Sequence, residues 1–160
     1  MASLKYDQLE LRFEYRYVSY WENGNIFRIG YEVAFLWDGQ SLINPQVMND
    51  ETPGSEIREL GGFLPVAFEE EGMIDLLEQV LTAGRGGVWE PLILPAIEVT
   101  VRDHRDYFLI DVFACSAAFK GFDTYSGNGV ALRLEVDRPE LEQFLADLKA
   151  EYAQLLKEAG

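Results

Sequence analysis

Residues 126–156 limit what this chain can fold into more than any other stretch. They read SGNGVALRLEVDRPELEQFLADLKAEYAQLL: a turn, an alternating strand, a stop, and one long amphipathic helix. Val130, Leu132, Leu134 and Val136 alternate with Ala131, Arg133 and Glu135, which is the period of a strand with one buried face. Leu141, Phe144, Leu145, Leu148, Tyr152, Leu155 and Leu156 fall on one helical stripe. The helix is expected to begin at Asp137-Arg138-Pro139-Glu140. Proline suits a first helical turn, and Glu140 and Glu142 suit the positive end of the dipole. Burying those side chains is worth roughly 10–20 kcal/mol gross, before entropy. A stripe this wide needs a sheet to lie on, and the rest of the chain reads mostly as sheet.

Residues 8–21 (QLELRFEYRYVSYW) alternate strictly. Leu9, Leu11, Phe13, Tyr15 and Tyr17 point one way, and Glu10, Arg12, Glu14 and Arg16 point the other. The polar face alternates acid and base, which suits cross-strand ion pairing. Asn23-Gly24 is the dipeptide a tight hairpin prefers. Residues 26–37 (IFRIGYEVAFLW) form the return strand, with Phe27, Ile29, Tyr31, Val33, Phe35 and Trp37 on one face. Residues 40–62 lose all periodicity, and a loop of that length in a compact domain is commonly functional or mobile. Further on, the pattern predicts a short strand at 63–68, a helix at 70–83 capped by Gly84, a strand at 96–101, a polar turn at 102–106, a central strand at 107–115 and a last strand at 130–136. The expected architecture is a single α+β domain over residues 1–160: a twisted antiparallel sheet of six to seven strands, with a long C-terminal helix and one internal helix packed against it.

Charge narrows the partners. Asp and Glu number 28 against 13 Lys and Arg, a net charge of −15. Such a surface repels phosphate backbones and anionic lipid, so neither nucleic acid nor a membrane surface is the expected partner. It attracts a basic protein, although keeping the chain soluble is a sufficient reason for the charge. No apolar run approaches the ~20 residues of a membrane-spanning helix, and the first residues lack a signal-peptide core. A single cysteine, Cys115, makes no intramolecular disulfide. A cytoplasmic location is the expectation.

No stretch carries a recognisable catalytic set. The lone histidine, His104, sits in Asp103-His104-Arg105-Asp106, which lacks the downstream asparagine and the companion motifs of a kinase loop and reads as a solvated turn. Cys115 lies on an apolar strand, which favours an inert thiol. The glycines of GRGG at 84–87 end a helix, where a phosphate loop would begin one. No carboxylates are spaced as in a calcium loop. No catalytic, cofactor or metal-ligating residue is assigned. The candidate partner-binding residues are Asp50, Glu51, Glu56 and Glu59 in the irregular acidic segment, with Tyr20 and Trp21 at the hairpin tip, where aromatic side chains are hard to bury.

The run DLLEQVL, then VWEPLILPAIEVTV, then YFLIDVF, then GVALRLEVDRPELEQFLADLKAEYAQL resembles the WapI-type immunity proteins of bacteria. These are small cytoplasmic antidotes to wall-associated or polymorphic toxins. The likeness covers residues 73–156 and is carried by Trp89-Glu90-Pro91 and by the strand leading through Asp137-Arg138 to Leu141, Phe144 and Leu148. It implies an antiparallel sheet partly wrapped by the C-terminal helix. It also implies stoichiometric inhibition of a toxin without catalysis, and the charge suits a basic toxin domain. Two other readings stay open: a small-molecule-binding or enzymatic domain with a pocket between sheet and helix, and an assembly subunit such as a homodimer.

Overall fold

A computed structural model describes residues 1–20, 22–24, 26–42, 64–67, 72–89, 97–115 and 129–159. The chain order is β1 (Ala2–Tyr6), β2 (Leu9–Tyr20), β3 (Ile26–Trp37), β4 (Gln40–Ser41), β5 (Leu64–Ala67), α1 (Gly72–Ala83), β6 (Gly87–Trp89), β7 (Ile97–Asp103), β8 (Phe108–Cys115), β9 (Gly129–Val136) and α2 (Arg138–Ala159). The α+β class, the antiparallel pairing, the internal helix and the long C-terminal helix agree with the sequence reading.

The single sheet does not. Two antiparallel sheets form, in the orders β1-β2-β3-β4 and β6-β7-β8-β9. β5 also pairs with β3, through Ile29 and Tyr31, on the edge that β4 shares through Leu36 and Trp37. The first sheet therefore has five strands in four positions. β1 and β9 run beside each other but share no ladder, so the sheets abut without fusing. Side-chain period assigns each strand a buried face; it carries no information on which edges join, and this is why one sheet was expected.

Strand β1 went unread because only Ala2 and Leu4 point inward over its five residues. The turn to β2 places Asp7 at φ 58°, a left-handed conformation that Asp tolerates better than most residues. β6, which the sequence pattern does not signal, is a short edge strand pairing Gly87–Trp89 with Val99–Val101. The segment between α1 and β6 explains GRGG. Gly84, at φ 61°, ends α1 and donates its N–H to the Val80 carbonyl at 3.0 Å. A Cβ on Gly86 would lie 2.6 Å from the Val101 carbonyl oxygen, so only glycine lets this turn approach β7.

One continuous core joins both sheets and both helices. Leu141, Phe144 and Leu148 of α2 are almost wholly buried, as their spacing required. α2 lies against β1, β2 and α1, while α1 lies against β6 and β7. A chain of rings connects the first sheet to α2: Phe13 stacks on Tyr31 (centroids 5.1 Å apart) and meets Tyr15 edge-on, and Tyr15 contacts Tyr152 at 5.4 Å. The start of α2 is a reciprocal capping box. Asp137 Oδ1 accepts the Glu140 N–H (2.8 Å), and Glu140 Oε2 accepts the Asp137 N–H (2.9 Å). Arg138 covers the Phe108 ring and donates to the Leu81 carbonyl, tying the end of α1 to the start of α2. Among the described residues, no helix is long and apolar enough to cross a membrane.

Candidate functional site

β1 pairs with β2 only from Leu9 to Phe13, where Ala2 is the last partner. Beyond that point β2 continues toward Tyr20, and the C-terminal half of α2 takes the place beside it. Glu151 closes the junction. One of its oxygens accepts the Tyr15 N–H at 2.8 Å, a group β1 does not reach, and the other lies 2.7 Å from the Met1 ammonium.

At this junction an open cleft of about 600 Å³ lies between strand and helix. Glu14 and Arg16 line the strand wall; Asp147, Glu151 and Glu158 line the helix wall, with Leu155 between them. A volume of this size falls in the range of ligand sites, but such sites are ordinarily mostly apolar, and this one is charged. On the strand wall Arg16 is compensated, pairing with Glu14 at 2.9 Å and with Glu32 of β3 at 2.5 Å. On the helix wall Asp147 accepts from the neutral Gln143 amide (2.8 Å) and Glu158 from the Gln154 amide (2.5 Å). Four carboxylates thus face one guanidinium and one ammonium, so the cleft keeps a surplus of negative charge.

Five basic side chains on the other faces are used internally. Arg12 holds Glu10 (2.8 Å), Arg102 and Arg133 both hold Asp111 (2.8 and 2.5 Å), Arg138 reaches Glu142, and Lys149 pairs with Glu78. The hydrogen bond from Arg133 to Asp111 holds that carboxyl below its ordinary range, and the hydrogen bond from Arg12 does the same for Glu10. With Arg16, six basic side chains are thereby spent on carboxylates of the scaffold.

The expected ion pairing on β2 forms along the strand, between residues two apart, in Arg12–Glu10 and Arg16–Glu14, and Arg16–Glu32 crosses to β3. Tyr20 is 40% exposed at the end of β2, opposite Ile26. It sits roughly 13 Å along the strand from Arg16, outside the cleft. Trp21, Asp50, Glu51, Glu56 and Glu59 lie outside the described residues. Trp37, assigned to the core face, is 48% exposed because it ends β3. His104 stacks on Tyr107 in the exposed turn between β7 and β8, and Asp103 accepts the Arg105 N–H there, so the polar stretch is a self-bonded turn. Among the described residues, no group of three or more His, Cys, Asp or Glu side chains is placed to hold a metal ion.

The cleft went unread in the sequence. Asp147, Glu151, Gln154 and Glu158 step four, three and four residues along α2, so a polar line beside the leucine stripe was visible. That it faces the far end of β2 was not. No family model, curated protein or solved structure matches the chain. The likeness of residues 73–156 to immunity proteins therefore rests on sequence pattern alone.

Proposed function

We propose that this chain is a non-catalytic protein-binding domain for a basic partner, of the immunity type that binds and neutralises a cognate bacterial toxin. One observation carries the reading. Six basic side chains are held in internal ion pairs, while the cleft between β2 and α2 is lined by four carboxylates against one guanidinium and one ammonium. A surface so arranged steers a basic domain toward it and repels nucleic acid. The sequence likeness supplies the toxin-neutralising role. The test is capture of the partner on the immobilised chain, with residues 49–59 intact and with their acids neutralised, followed by purification of the pair. A basic partner, an equimolar complex and weakening of binding with added salt are expected; an acidic partner or salt-insensitive binding refutes the reading.

A second reading is favoured by the position of the cleft between sheet and helix. There the chain would bind a small cationic molecule, which native mass spectrometry of the purified protein would detect as retained mass.

A further inference from the structure

We infer that the cleft between β2 and the C-terminal half of α2 receives an extended arginine- or lysine-bearing segment of that basic partner. The inference rests on the protein-binding reading and gives it a place and a recognition chemistry.

Length sets the first constraint. Asp147 and Glu158 are eleven residues apart on α2, about 16 Å along the helix axis. An extended segment spans that distance with about five residues, whose alternate side chains face the same wall about 6.6 Å apart. Charge sets the second. On the β2 wall Arg16 is held by both Glu14 and Glu32, one guanidinium to two carboxylates, so that wall repels an incoming cation little and Asp147 and Glu158 on the α2 wall supply most of the attraction. Among the described residues, Asp147 and Glu158 accept from amide groups and from no cation, so approach of a guanidinium displaces no ion pair there. The surplus negative charge disfavours an anionic ligand. It also disfavours a second copy, which would bring a like-charged cleft and a net charge of −15 to the contact.

The experiment measures fluorescence anisotropy of labelled acetyl-RGRGR-amide with three proteins at low salt: the full chain, Asp147→Asn/Glu158→Gln, and a control of equal charge change on other surfaces, Asp106→Asn/Glu135→Gln. Glu151 is left intact because it closes the β2 junction. The cleft variant is expected to bind roughly fivefold or more weakly and the control within about twofold of the unaltered chain. Equal weakening in both variants overturns the inference, because binding then follows diffuse charge. So does absence of binding to the unaltered chain, or displacement of the peptide by spermidine at the same concentration of positive charge, which would mark a small polyamine as the occupant. The broader reading fails separately, on an acidic partner or salt-insensitive capture.

Discussion

Glu151 holds β2 to α2 where β1 runs out, and replacing it tests whether that junction is structural. In Glu151→Ala the Tyr15 N–H loses its acceptor on a residue only 8% exposed. A buried donor left unsatisfied costs about 1–3 kcal/mol. The ion pair with the Met1 ammonium adds little, because that residue is largely solvated and such pairs contribute at most ~1 kcal/mol. Together these give a loss of about 1–4 kcal/mol. For a domain of this size each kcal/mol lowers the melting temperature by roughly 2–4 °C, so a drop of roughly 2–16 °C is expected. Glu151→Gln keeps an amide oxygen that can accept the same N–H and should lose less than half as much. Thermal melts followed by circular dichroism, with amide exchange at Tyr15 as a local probe, decide the matter. An alanine variant melting within about 1 °C of the unaltered chain, or a glutamine variant as damaged as alanine, refutes the reasoning.

Leu148→Asp removes a fully buried side chain from the α2 stripe and leaves a carboxylate among apolar neighbours. Several kcal/mol out of a typical total of about 5–15 should unfold the domain at 37 °C, and an unchanged melting temperature would show that α2 does not cover the sheet. Gly86→Ala drives a Cβ to 2.6 Å from backbone oxygen and should cost roughly 1–3 kcal/mol, read as a lowered urea midpoint. Asp137→Ala breaks the capping box and should cost about 1 kcal/mol, again by urea titration. Asp111 is held below its ordinary pKa when folded, so it binds fewer protons in the native state than in the unfolded one. Its contribution is therefore present above the unfolded carboxylate range near pH 4 and is lost as pH falls through the lower folded value. Asp111→Asn should be less stable than the unaltered chain at pH 6, with the gap narrowing toward pH 2–3. A gap independent of pH would show that the Arg133 and Arg102 pairs do not stabilise the sheet.

Much of the fold was legible because it is local. Leu11, Phe13 and Tyr15 alternate along β2, and Val33 and Phe35 do so along β3. Gly24, at φ 83°, lies in the turn where Asn23-Gly24 placed it. The α2 stripe and the Gly84 cap were equally readable, since each depends on residues within one or two turns. What stayed hidden depends on neighbours distant in sequence. β1 has two inward residues, too few to show a period. Trp37 keeps the period of a core position yet lies at a strand end opposite Leu9, where burial runs out.

The candidate site divides the same way. The acids of α2 were visible as a helical line, and the alternation of Glu14 and Arg16 was visible as a strand face. Their meeting across a cleft was settled only by the packing of α2 on β2, which brings Glu151 to the Tyr15 N–H. The sequence by itself determined an acidic α+β chain, a hairpin, and a helix with one apolar stripe, because period and charge are properties of short windows. The tertiary structure alone decided that there are two sheets, and which carboxylates keep an arginine and which face a cleft. Edge pairing and charge compensation are settled by contacts between residues as far apart as Tyr15 and Glu151.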